Sequence, residues 1–305
     1  MLEKKSNLKA WLYLAPALVL LTIFTFYPLI NAFIISFFKD VVVEDMSHDG
    51  FYGLQNYVDV VTKDRFYFGD ALWNTFFITI VSVPISVILS LLISVGLKSI
   101  KKFQNVYQTI FFLPYVTNAI AIGMAFAFIF NQDYGLLNTI LGWFGLNSAE
   151  GINWVGAGAS WGRAMAALLI YSIWAGMAFK ILVFLSGLQS IDKQYYDAAK
   201  IDGTPRGRVF RRITVPLLSP MIAYITITSF IGSFKVYTSV VGMFGPSMGT
   251  AGNKFQLITI VGVVYSNITQ IGEGGHVAAI SVLLFLIILA FTGIQMQVSK
   301  RRVHY

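Results

Sequence analysis

The residue types in this chain that could do chemistry are three histidines, two lysines inside apolar segments, and a basic, Gly/Pro-punctuated stretch. His48, His276 and His304 are scattered, share no metal-ligand spacing and form no HExxH pair. The chain has no cysteine, which removes thiolate metal sites, disulfides and cysteine nucleophiles. No G-x-x-x-x-G-K-[ST] phosphate loop occurs, so the chain carries no ATP-hydrolysing site of its own. An intramembrane serine–lysine hydrolase built on Lys180 would need a serine nucleophile in a recognisable motif, and none is present. The expectation is a non-enzyme without a cofactor.

The basic stretch runs from Tyr196 to Pro216, YDAAKIDGTPRGRVFRRITVP, between two apolar segments. Asp192 can cap a short helix whose body includes Tyr196–Ile201. After Asp202, Gly203 suits the position past a helix end, where positive φ is needed. Thr204 can cap a second helix, with Pro205 in its first turn and a run to about Arg212 that includes Arg206 and Phe210. Pro216 then starts the next membrane helix. Ala198 and Ala199 offer methyl groups against which another backbone can pack closely. Arg206, Arg208, Arg211 and Arg212 can bind lipid phosphates or acids on a partner. A loop with this much order is a docking element rather than a tether.

The elements that must hold it are membrane helices. The chain is 305 residues long, 56% hydrophobic and only 12% charged, with mean hydropathy +0.70, whereas soluble domains carry about 25% charged residues. Six apolar segments can each span a bilayer. They are Trp11–Phe38, Leu72–Leu97, Thr109–Phe130, Met165–Leu188, Leu217–Val241 and Val277–Val298. Phe255–Tyr265 is too short and reads as an outer-face helix. The first span is longer than a signal-peptide core and lacks a cleavage site. Of 22 basic residues, 15 fall on one side: Lys4, Lys5 and Lys9; Lys98, Lys101 and Lys102; Lys193, Lys200 and the four loop arginines; Lys300, Arg301 and Arg302. The other side holds Lys39, Lys63, Arg65 and Lys254 with ten acids: Asp40, Glu44, Asp45, Asp49, Asp59, Asp64, Asp70, Asp133, Glu150 and Glu273. The bias predicts cytoplasmic termini and a cytoplasmic Tyr196–Pro216 loop. It also explains the net charge of +8 without nucleic acid.

Polar groups inside spans are costly and default to function. Lys180 lies roughly 12 Å from the inner end of the fourth span. Lys235 lies late in the fifth and could snorkel outward. Tyr115, Thr117 and Asn118 on the third span, Tyr171 and Trp174 on the fourth, and Thr228 and Ser229 on the fifth are further candidates for a solute path. Tyr171 and Trp174, three apart, share a helix face. Pro84, Pro114 and Gly123 interrupt apolar runs, and Pro114 is expected to kink the third span or set its start.

The loop resembles the EAA motif of ABC importer permeases: Asp197-Ala198-Ala199, three residues, Gly203, nine residues, Ile213, one residue, Val215-Pro216. Asp stands for the usual Glu and Val for Leu. Tyr27-Pro28, Ser36-Phe37, GLQNY at Gly53–Tyr57, Asn74-Thr75, Leu113-Pro114, YGLLN at Tyr134–Asn138 and GLQSI at Gly187–Ile191 resemble, in order, the carbohydrate-uptake branch for maltose-type sugars and glycerol phosphate. The Gly242–Gly252 loop resembles that family's outer Gly-Pro loop, with Phe244-Gly245-Pro246 where Gly-Gly-Pro is usual, and implies contact with a binding protein.

The resemblance implies an all-α integral membrane protein of the type I ABC importer permease fold, six transmembrane helices in one permease domain over 1–305. Residues 189–216 would form the coupling loop seated in a cytoplasmic ATPase dimer. ATP and Mg would belong to that ATPase. It further implies a second homologous permease chain, an extracytoplasmic solute-binding protein and a bacterial inner-membrane location. A sugar, an oligosaccharide above all, is the expected cargo, with a non-sugar solute such as glycerol phosphate the alternative. A self-sufficient secondary carrier would need no such loop.

Overall fold

A computed structural model describes residues 7–100, 104–146 and 151–300. Lys4, Lys5, Lys101, Lys102, Glu150, Arg301, Arg302 and His304 lie outside them. Between its turns and loops the described chain is helical, with one two-residue antiparallel ladder pairing Phe38–Lys39 with Gly50–Phe51, a small exception to the all-α expectation. The helices are α1 (Lys9–Ile35), α2 (Gln55–Thr62), α3 (Phe68–Ser99), α4 (Gln104–Val116), α5 (Ala119–Ile129), α6 (Leu136–Trp143) and α7 (Trp161–Ser190). They continue as α8 (Lys193–Ile201), α9 (Arg206–Leu217), α10 (Ser219–Phe234), α11 (Thr238–Phe244), α12 (Ile260–Asn267) and α13 (Gly274–Lys300).

Among these, α1, α3, α7 and α13 are each long and apolar enough to cross a membrane, and six spans result if each bent pair counts as one. Three sequence expectations are corrected here. The segment Thr109–Phe130 is not one rod, because α4 and α5 meet at 101°. The break falls at Asn118 rather than at Pro114, which sits within α4. Asn118 takes an extended conformation, and its side-chain oxygen accepts from the backbone N–H groups of Ile120 and Ala121 at 2.9 and 3.3 Å. Two of the new helix's first-turn donors are thereby satisfied, so it can start there.

Leu217–Val241 is likewise split. α9 runs through Pro216 and bends by 69° into α10, so Pro216 closes one helix instead of opening the next. The prolines at 216 and 220 withdraw donors on both sides of Leu218, and the chain turns where they are missing. At its far end α10 stops at Phe234, and α11 restarts at Thr238. The short helix expected on the outer face begins at Ile260, five residues later than Phe255. Asn74 donates to the carbonyls of Gln256 and Ile258, and the Thr75 hydroxyl accepts from Ile260 N–H, which holds the preceding residues in turns.

Contacts group the chain into two compact units: Met1–Phe66 with Val263–Leu286, and Tyr67–Gly262 with Ile287–Tyr305. In the first, Asn56 donates to the carbonyls of Ser36 and Phe38, both at 2.8 Å, and ties α2 to the ladder. Gly274 and Gly275 admit the backbone of Val41 and Phe38 where a side chain would collide. Arg65 pairs with Glu273 at 2.7 Å. Asp59 is buried; burial would push its carboxyl up, but hydrogen bonds from Lys63, Gln55 and His276 outweigh it and hold the carboxyl below its usual value. His276 thus lies between Asp59 and Glu273, and His48 packs on the Phe38 ring.

The second unit is built on α3 against α7. Ser82, Ser86, Ser90 and Ser94 repeat every four residues on α3 and are buried. Such small side chains allow the close approach that membrane helices need. Ser94 donates to Ile181 O at 3.0 Å and Ser90 to Met177 O at 3.4 Å. α5 and α11 come closer still. A methyl group added at Gly123 would lie 2.7 Å from the Gly242 backbone, so these two helices touch main chain to main chain.

Candidate coupling loop and solute cavity

The loop expected to couple to an ATPase is assembled as its residue types direct. Asp192 caps α8 by accepting from Gln194 N–H at 2.9 Å. The helix ends in a double closure. Gly203 N–H bonds Lys200 O at 3.1 Å and Thr204 N–H bonds Ala199 O at 2.9 Å, with Gly203 at φ +65°. This is the Schellman arrangement, and it explains a fixed spacing between Ala199 and Gly203. One supplies the carbonyl three residues before the helix end, the other the left-handed residue that lets the chain reach it. The second helix starts at Arg206 with Pro205, rather than Thr204, at its cap position, and it runs to Leu217.

α8 has two unlike faces. Ala199 is buried, and Tyr196 packs inward under the Lys98 ammonium, 4.5 Å from the ring centroid, with its hydroxyl 3.3 Å from that of Thr214. Lys98 in turn donates to Leu188 O at 2.7 Å. Tyr196, Gly203, Arg206 and Phe210 line a cavity of about 730 Å³ beneath the loop. The opposite face presents Tyr195, Ala198 and Ile201 at three-residue intervals, with Ile201 87% exposed at the tip. Asp197 is half-exposed and pairs with Lys200 at 3.4 Å, while Asp202 and Arg206 are exposed. In the sequence only their spacing with Ala198 marks Tyr195 and Ile201 as one face.

A second feature lies among α3, α7, α10 and the joint between α10 and α11. It is a cavity of about 340 Å³ lined by Ser82 and Ser86, by Ser172, Gly176 and Lys180, by Ser229 and Ser233, and by Lys235, Tyr237, Thr238 and Ser239. Lys180 is buried, and its ammonium donates to Ser86 Oγ at 2.9 Å and Gly176 O at 2.8 Å. Ser172 Oγ is buried without a hydrogen-bond partner among the described residues.

Of the solute-path residues expected from the sequence, Lys180, Ser229 and Lys235 meet at this cavity. The others do not line it. Tyr115 is exposed and stacks on Phe179. Asn118 is the cap of α5. Tyr171 is buried and donates to Ala119 O at 2.8 Å. Trp174 does share a face with Tyr171, since both rings pack on Phe126 at 5.1 and 5.0 Å. Thr228 bonds its own helix at Tyr224 O, as hydroxyls in membrane helices commonly do. The serines of α3 were missed, though their four-residue repeat is a visible signal.

Comparison with known proteins agrees with this architecture. Residues 63–304 match the family described as binding-protein-dependent transport system inner membrane component. The arabinooligosaccharides transport system permease protein AraP of Bacillus subtilis is 32% identical over 95% of this chain and 88% of its own length. The trehalose/maltose transport system permease protein MalF of Thermococcus litoralis is 30% identical over 96% of this chain and 94% of its own. A crystal structure of a bacterial ABC transporter that imports the acidic polysaccharide alginate has a chain that superposes with TM-score 0.73, at 18% identity, covering 97% of this chain and 96% of that one.

Proposed function

The chain belongs to the family of binding-protein-dependent transport system inner membrane components, and from that membership we propose that it forms half of the translocation pathway of an ATP-driven sugar importer. It is a multi-pass membrane transport subunit rather than an enzyme. Sugar as cargo, in preference to glycerol phosphate, is supported by relatives named for arabino-oligosaccharide, trehalose/maltose and lactose transport. In this reading residues 1–305 act as one permease domain of six spans with both termini in the cytoplasm, as the distribution of lysine and arginine favours. A second homologous permease chain completes the pathway wall. An extracytoplasmic binding protein delivers the solute, in line with an alginate transporter structure solved with its pentasaccharide-bound periplasmic protein. ATP and Mg are held by a cytoplasmic ATPase dimer.

The observation that carries the reading is the exposed face of α8. An isoleucine at the tip of a capped, Schellman-closed helix in a cytoplasmic loop is an apolar anchor with nothing among the described residues to cover it. Residues 189–216 are the coupling loop, and Tyr195, Ala198 and Ile201 are the part that enters the ATPase. Movement of that face is passed inward through Tyr196 to Lys98. Lys98 sits four residues beyond Ser94 on the serine row of α3 and holds the end of α7 at Leu188. Ser86 and Lys180, on the same two helices, line the solute cavity. The loop and the cavity are thereby joined by one packed helix pair.

The test is Ile201→Asp. Burying an isoleucine contributes about 1.5–3 kcal/mol, so the ATPase retained with the purified permease should fall by at least tenfold while permease abundance in the membrane is unchanged. Full retention of the ATPase would remove the basis of the proposal.

A further inference from the structure

We infer that the solute cavity is an anion receptor and that the imported saccharide carries an acidic group, a carboxylate or a sulfonate, which docks at Lys180. The inference rests on the importer reading above and specifies its cargo. Two lysines and a set of hydroxyls line the cavity, and its lining includes no aspartate or glutamate. Among the described residues Lys180 has no ion-pair partner, although it is only 7% exposed. A buried ammonium without a counter-charge is expensive, and such a group is kept where something compensates it. Its hydrogen bonds do so only in part. An ammonium has three donors, and Ser86 Oγ and Gly176 O take two of them.

Neighbouring groups favour the same ligand. Ser172 Oγ has no partner among the described residues and lines the same cavity, so a donor is available for an anionic oxygen. Gly176 leaves the ammonium room: a methyl group there would stand 3.0 Å from Nζ. Lys235 brings a second positive charge to the rim. The lining has a single aromatic ring, Tyr237, so charge and hydroxyl contacts, rather than ring stacking, dominate what the cavity can recognise. Its volume of about 340 Å³ is at the small end of ligand sites and suits one charged sugar unit of a longer molecule at a time.

The experiment uses the organism that carries the gene and a mixed library of neutral, uronate-bearing and sulfonate-bearing oligosaccharides, with mass spectrometry of what remains in the medium. Wild type is compared with a deletion strain and with strains carrying Lys180→Met, Lys180→Arg or Ser233→Asp in the intact importer. Membrane abundance is measured by immunoblot. Deletion should leave acidic saccharides unconsumed. Lys180→Met should reduce their uptake at least tenfold and Lys180→Arg much less. Ser233→Asp, which adds a negative charge to the lining without touching the bonds of Lys180, should reduce uptake as well. If the saccharide lost on deletion is uncharged, or if acidic uptake survives both Lys180→Met and Ser233→Asp, the anion assignment is wrong while the importer reading stands. If deletion spares every saccharide, the importer reading itself fails and takes this inference with it.

Discussion

Replacing Gly203 with valine tests the link between the loop's backbone and its docking. Gly203 sits at φ +65°, and no atom lies within 4 Å of where a Cβ would be. The cost of a side chain there is therefore conformational and not steric crowding by neighbours. A left-handed residue costs an L-amino acid about 1–2 kcal/mol, and a β-branched one is a genuine outlier. Relief of that strain requires giving up the bonds from Gly203 N–H to Lys200 O and Thr204 N–H to Ala199 O, which frays the end of α8 and moves Ile201. One to two kcal/mol is a factor of about 5–30 in the ratio of closed to frayed loop. Copurified ATPase and ATP-driven uptake should fall together, by up to that factor. Gly203→Asn is the control, since asparagine tolerates the left-handed region, and it should keep most of both activities. If valine behaves as wild type, or if asparagine is as harmful as valine, the closure of α8 by Gly203 is not what presents the docking face.

Lys98→Met removes the ammonium that bridges Tyr196 and Leu188 O. It should leave the ATPase bound but uncouple it, with ATP hydrolysis retained and uptake reduced several-fold, measured in proteoliposomes containing the whole importer. Gly123→Leu places a side chain where the Gly242 backbone lies 2.7 Å from the first added carbon. Since carbon contacts prefer about 3.5–4.0 Å, α5 and α11 must separate, and the overpacking should cost about 1–3 kcal/mol, seen as a lower unfolding temperature in detergent. Asp59→Asn removes a carboxylate whose pKa is lower folded than unfolded. Its stabilisation is present above the unfolded value of 3.8 and is lost as pH falls through the folded one. The unfolding-temperature gap between wild type and Asp59→Asn should therefore be full near neutrality and close below about pH 4. A gap that stays constant with pH would contradict it.

Much of this architecture was legible because membranes impose simple rules. Apolar length located the spans within a few residues: Met165–Leu188 became Trp161–Ser190, and Val277–Val298 became Gly274–Lys300. The helix stop at Gly203 was also legible, because positive φ leaves few other residue choices. The breaks were not. Hydropathy averages over a bend, so the 101° turn at Asn118 disappears inside an apolar run, and Pro114 drew attention that belonged to the capping asparagine. Asn56, Asn74 and Asn138 read as motif letters only. Their use as donors to distant loop carbonyls needs tertiary contacts that no local pattern reveals. The same holds for the solute path. Each polar residue is ambiguous by itself, whereas the cavity draws on three helices and on serines too ordinary to stand out. Of the expected residues Lys180, Ser229 and Lys235 converge there, the two lysines 55 positions apart in chain order and both conspicuous by charge.

The central claim, that the Tyr195–Ala198–Ile201 face enters an ATPase, can be measured directly because the chain has no cysteine. Ile201→Cys introduces a unique thiol at an exposed tip, with Asp49→Cys as an exposed control elsewhere. Labelling by a bulky maleimide is followed in membranes with and without the partner ATPase. The account predicts rapid labelling of Ile201→Cys alone, strong protection when the ATPase is assembled, and no change at Asp49→Cys. Equal labelling of Ile201→Cys in both membranes would contradict it.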